Sequence, residues 1–147
     1  QLTEAARNSL IDFELLAQAA KARGIVIDDK QVDAEIARNR AHFASPAEYD
    51  KAVAASGLSR DALRADTRKT LLVNTMLDTV VWKDVKVSPT TVQAYYDQHK
   101  DKLGGKSFDD LRPAIEQSLR DDARVQLQRA YVGELRKAAK IEQPGEK

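Results

Sequence analysis

Apolar residues recur along this 147-residue chain at spacings of three and four, the period of helices packed by one face, and no segment reads convincingly as a strand. Ala6, Leu10, Phe13, Ala17 and Ala20 share a face of a first helix predicted from about Thr3 to Ala22. Gly24 ends it by accepting a left-handed backbone. After the short extended Ile25-Val26-Ile27, Asp28 caps a second helix whose Val32, Ile36, Asn39 and Phe43 align, and that face is expected to pack on the first helix. Ser45-Pro46-Ala47-Glu48 reads as a capping box with proline at the first helical position. The third helix it opens has Tyr49 and Val53 as its buried side and stops at Gly57.

Ser59 caps a fourth helix that begins charged and becomes apolar almost all round between Leu71 and Trp82, as a segment surrounded by other helices does. That stretch is the predicted core. Lys83 to Val87 breaks the run, and Ser88-Pro89 opens a fifth helix carrying Val92, Tyr95 and Tyr96 and ending near Leu103. Gly104-Gly105, the only double glycine, separates it from a last helix started by Ser107 and Asp110, whose first turns Pro113 should delay or kink. Leu111, Ile115, Leu119, Ala123, Leu127, Tyr131 and Leu135 then recur every four residues, a spacing that drifts about 40° per step around a 3.6-residue helix. From Phe108 to Ile141 this helix would run roughly 50 Å, so its ends should pack on different surfaces. The fold class is therefore all-α, with about six helices.

Composition narrows the function classes. Hydrophobic residues make up 42% and charged residues 32% of the chain, the balance of a soluble helical protein rather than a disordered one. The 24 basic and 23 acidic residues leave a net charge of +1, which gives no general electrostatic reason to bind nucleic acid or an anionic membrane. Without cysteine there are no disulfides, thiol nucleophiles or Cys-ligated metals, and the compartment is left open. No stretch approaches the ~18 consecutive apolar residues of a membrane span, and QLTEAARNSL lacks the regions of a signal peptide, the expectation for a mature or trimmed soluble chain.

No group of residues reads as a catalytic constellation. His42 sits beside Phe43, and His99 lies in a lysine-rich helix end where a cation near the last carbonyls is favourable; both read as solvated or capping. Asp28-Asp29, Asp109-Asp110 and Asp121-Asp122 lack the alternating ligands and glycine turn of a calcium loop and suit helix starts or solvated faces, so no metal is expected. Asp12 and Glu14 do not converge on one reacting atom. Arg60, Arg64, Arg68 and Lys69 are interrupted by Asp61 and Asp66, which suits a solvated face with helix ion pairs better than a phosphate footprint. Arg136, Lys137 and Lys140 suit the negative end of the last helix.

Taken in order, these segments resemble a known family. Leu10-Ile11-Asp12-Phe13-Glu14-Leu15-Leu16 followed by Ala19-Ala20-Lys21-Ala22-Arg23-Gly24-Ile25 resembles the N-terminal module of SurA-like periplasmic chaperones. Val26-Ile27-Asp28-Asp29 with Val32 and Ile36 is similar to the family's "IxVxDxxVxxxI" pattern, and Phe43, Tyr49, Gly57-Leu58-Ser59, Leu63-Arg64 and Leu71-Leu72 follow in the family's order. Val87-Ser88 with Val92, Ala94, Tyr95, Tyr96 and Lys100 is similar to "VSxxxVxxYYxxxK". Each motif is only a helix start with apolar periodicity; the specificity lies in their order and spacing. The extended segment that often precedes the first helix in the family is missing, a departure that truncation would explain.

The resemblance implies a helical chaperone core made of an N-terminal module, residues 1–103, and a returning C-terminal helix, residues 107–147, that completes the same core. A parvulin-type prolyl isomerase domain is commonly inserted between them. Residues 104–106 stand at that junction, and a link this short cannot hold a folded domain of even ~50 residues. Gly104-Gly105 is either a natural short loop or an engineered joint. No local sequence resembles the histidine-lined proline pocket of a parvulin, so this chain is expected to be no enzyme, although its parent is expected to be one if it carries that domain.

The implied function is ATP-independent binding of unfolded or nascent extracytoplasmic polypeptides in the periplasm or an equivalent compartment, with no cofactor, no metal and no nucleic-acid partner. Phe43, Tyr49, Met76, Trp82, Tyr95 and Tyr96 are the candidate client-binding residues, because aromatic and thioether groups adapt to varied shapes. Core packing is the competing role for each. Two alternatives stand beside this one: a helical scaffold or dimerisation module, in which two copies exchange the C-terminal helix about Gly104-Gly105, and the non-catalytic part of a peptidyl-prolyl cis-trans isomerase.

Overall fold

A computed structural model describes residues 3–139. Lys140 and Ile141, which the sequence adds to the last helix and its basic end, lie outside the described residues. Six α-helices account for nearly all regular structure, and the described residues contain no strand. The chain divides after Met76 into two compact units.

The first unit holds α1 (Glu4–Ala22), α2 (Asp29–Ala41), α3 (Pro46–Ala55) and α4 (Arg60–Met76). Their starts are set by side chains that satisfy orphan backbone N–H groups. The Thr3, Asp28, Ser45 and Ser59 side chains accept from the backbone N–H of Ala6, Gln31, Glu48 and Ala62 at 3.2, 2.8, 3.2 and 3.1 Å. At α2 the cap is reciprocal, because the Asp28 N–H donates back to Gln31 Oε1 at 2.9 Å.

α4 is the centre of this unit and packs on both α1 and α2, while α3 packs on α2 alone. The expected packing of α2 on α1 is therefore corrected. Across the α2–α4 contact Arg64 pairs with Asp33 and, at 3.4 Å, with Asp29, and Arg68 also pairs with Asp29. One side of α4 thus meets the acidic first turns of α2. On another side, Lys69 pairs with Glu14 of α1 and lies 5.5 Å from the centre of the Phe13 ring.

Leu16, Ala17, Ala20, Ile27, Val32, Leu72, Val73 and Met76 are buried, as is Thr67, whose hydroxyl donates to the Leu63 carbonyl at 2.8 Å. Each larger aliphatic side chain contributes about 1.5–3 kcal/mol by leaving water. Burial on α1 is confined to its second half, and Leu10, expected on the buried face, is 57% exposed.

The second unit begins with a π-helical turn, Leu77–Val81, followed by α5 (Pro89–His99), one 3-10 turn (Lys100–Lys102) and α6 (Phe108–Ala138). Ser88 and Ser107 cap α5 and α6 as their sequence positions predict. α6 packs on α5 and on the π turn, with Leu77, Val92, Ile115 and Val132 buried. Gly104 and Gly105 both have positive φ, +65° and +72°, which lets so short a loop reverse the chain.

Pro113 neither delays nor ends α6, which is helical from Phe108 onward. A proline six residues in sacrifices one i→i−4 hydrogen bond, and the 31-residue helix carries that loss. The drift of the four-residue stripe is visible in its burial. Leu127 lies about 120° around the helix from Ile115 and is 44% exposed, and the buried position further on is Val132 rather than Tyr131.

Candidate apolar surfaces

The six candidate client-binding residues divide between the units. In the first, Phe43 and Tyr49 come together at the corner between α2 and α3, ring centres 5.3 Å apart and planes at 79°, the edge-to-face geometry aromatic quadrupoles favour. Phe43 is 40% exposed. It also lines a shallow depression of about 410 Å³ with Ala37, Arg40, Ala41, Ala44, Ser45 and Pro46. α3 itself contains no buried residue. A helix capped at Ser45, started by Pro46 and only half-buried along its Tyr49 and Val53 side is held by local capping and a thin contact with α2. Arg40 and Asp50 add an exposed ion pair at 3.7 Å, worth little in water.

Met76 is a correction to the candidate set. It is fully buried, the largest side chain to be so among the described residues, and offers nothing to a client, in keeping with its place in the predicted core. Its position ends the apolar part of α4, where a flexible thioether fills space between neighbours.

In the second unit, Trp82 is half-buried, and its indole N–H donates to the Arg124 carbonyl of α6 at 3.0 Å while the Arg124 guanidinium lies 5.2 Å from the ring centre. It acts as a clamp more than as open surface. Tyr95 stacks on His99 at 4.1 Å between ring centres, and the His99 Nδ1 lies 2.8 Å from the Tyr95 carbonyl. Tyr96 meets Phe108 edge-on at 5.4 Å and donates its hydroxyl to the Lys106 carbonyl at 2.8 Å, fastening the Gly104-Gly105 loop.

Phe108 was not singled out by sequence reasoning, which read it only as the first residue after a cap. Its signal is the bulky apolar side chain placed directly behind Ser107. Phe108 lines a second open depression, about 540 Å³, with Pro89, Thr90, Gln93, Ala94, Asp97 and Arg112.

Several of the charged candidates have structural partners. Arg64, Arg68 and Lys69 of α4 pair between helices rather than along one, since their partners are Asp29 and Asp33 of α2 and Glu14 of α1. The Glu14 carboxyl is held below its ordinary range, first by the hydrogen bond from Lys69 and then by that from Gln18. The Arg64 guanidinium is raised above its usual range, chiefly by its hydrogen bond to Asp33. Asp110 accepts from the Ser107 hydroxyl at 2.6 Å, and Asp121 accepts from Gln117 at 2.9 and 3.0 Å. His42 sits at the C-cap of α2. Among the described residues no group of three or more His, Asp or Glu side chains is placed to hold a metal ion, and no helix is long and apolar enough to cross a membrane.

What these features define is a helical module braced by interhelical ion pairs, with aromatic pairs at shallow apolar depressions in each unit. The chain belongs to the family of SurA-like N-terminal domains, a chaperone-related family: the match covers residues 1–77, which is just over half of the sequence and spans the first unit. No curated protein and no solved structure matches the chain.

Proposed function

We propose that this chain binds unfolded extracytoplasmic polypeptides reversibly and without ATP, as the chaperone core of a SurA-like protein. A holdase of this kind needs accessible apolar surface that competes with a client's own collapse, and no reaction chemistry. The observation that carries the reading is the α2–α3 corner inside the family-matched unit: a helix without one buried residue beside an aromatic pair whose Phe43 is 40% exposed. Membership of a family whose domains are generally periplasmic supports the compartment. On this reading the chain acts as the non-catalytic part of an isomerase architecture.

The test is suppression of aggregation of a chemically unfolded secreted or outer-membrane protein, followed by light scattering. A dose-dependent reduction is expected near stoichiometric ratios. No effect at severalfold molar excess over client sinks the proposal.

A second reading, a dimerisation module that exchanges α6, is favoured by the Leu103–Ser107 connection. Opening its two left-handed glycines would free a helix of 31 residues as one piece. A stable dimer in multi-angle scattering without client binding would favour it.

A further inference from the structure

The π-helical turn Leu77–Val81 is a departure from regular helix that the proposed function does not use. Its defining bond runs from the Trp82 N–H to the Leu77 carbonyl, five residues back, at 2.7 Å. In an α-helix five residues advance by about 500°, which would leave Leu77 and Trp82 about 140° apart. The wider turn removes much of that angle, so the buried Leu77 and the Trp82 indole can both serve the side that faces α6.

The reward is the clamp on Arg124: an indole N–H bond to a carbonyl in the middle of α6, and a guanidinium against the ring. The clamp is not fully satisfied, because Arg124 Nε is buried without a hydrogen-bond partner. The π register keeps the clamp at the cost of an irregular turn and an unpaired buried N–H. The α register restores regular pairing and frees the guanidinium.

We infer that Leu77–Val81 is a one-residue register switch, whose contraction to α-helical pairing turns Trp82 off the Arg124 carbonyl and uncovers the middle of α6. The segment Leu77-Asp78-Thr79-Val80-Val81 holds neither glycine nor proline, so nothing in it forbids the regular helix. Such a switch would set how much of the α6 surface is open without moving either end of that helix.

Trp82 is the only tryptophan, so its indole N–H gives a single resonance that reports the clamp in the intact chain. Two measurements decide. In the wild-type chain the indole resonance should show a relaxation-dispersion contribution or a second exchanging peak. Deleting the exposed Thr79, which leaves only enough residues for α pairing, should move it to the position of the minor state with about tenfold or greater loss of protection from exchange. A flat dispersion profile and one peak across the temperature range overturn the switch, whether or not the deletion variant folds. So does a deletion variant that folds and keeps the wild-type indole shift.

Discussion

Replacing Met76 by alanine tests whether the end of α4 is core or client surface. Met76 is 0% exposed, so the substitution strips three fully buried side-chain atoms from a packed site. Transfer of those atoms back to water costs about 2 kcal/mol at ~0.8 kcal/mol per methylene equivalent. A residual void of about 50 Å³ adds ~1.2 kcal/mol at the cavity coefficient measured for buried leucines. The sum, about 3 kcal/mol, is a large part of the 5–15 kcal/mol that holds typical domains folded. In urea, with a slope of about 2 kcal/mol/M, the midpoint of the transition that reports on residues 1–76 should fall by roughly 1.5 M. Far-ultraviolet circular dichroism follows that transition, and the two compact units make it advisable to test for two steps rather than assume one. Met76→Leu conserves shape and should cost under about 1.5 kcal/mol. Client binding per folded molecule should be unchanged in both variants. A Met76→Ala variant within about 0.5 kcal/mol of wild type, or one that loses client binding while remaining as stable, would refute the assignment of this side chain to the core.

The surface residues should behave in the opposite way. Phe43→Ser should reduce aggregation suppression severalfold while costing only about 0.5–1.5 kcal/mol from the lost edge contact with Tyr49, read as paired light-scattering and melting curves. Ser45→Ala removes the cap of a helix with no fully buried residue, so about 1 kcal/mol of local stability should vanish from α3, and hydrogen exchange should quicken there while α4 stays protected. Glu14 supplies a pH dependence. Its folded carboxyl is depressed, so its contribution is complete above the ordinary carboxylate range and is lost as pH falls through the lowered value. With the side chain 45% exposed, solvent screening holds that contribution below about 1 kcal/mol. Glu14→Gln should therefore narrow the stability gap with wild type as denaturation is moved from pH 7 to pH 3, and a gap independent of pH would show that Lys69 is not its source.

Much of this molecule is local and was legible in the chain. Asp28, Ser45, Ser59, Ser88 and Ser107 each cap the helix their position announces, because a cap is an interaction across three residues. The all-α class followed from periodicity, and the family from the order of several weak motifs. The drifting stripe of α6 was also legible, since it is only the arithmetic of four against 3.6.

Tertiary structure decided which faces meet. Leu10 fits the apolar face of α1 but is exposed, because burial depends on what lies opposite and periodicity names only one partner, whereas Met76 is sealed as its place in the predicted core implies. α2 packs on α4 rather than on α1, where its Asp29 and Asp33 meet Arg64 and Arg68, residues more than thirty positions away that read along the chain as ordinary solvated charges. Phe108 became half of an aromatic pair only when α6 returned to α5. The π turn left no trace in the sequence, because a segment apolar almost all round keeps the same pattern whether its turn closes on four residues or on five. Local bonds thus fixed where each helix starts. Long-range contact fixed what each helix hides, and with it the apolar surface left over to bind.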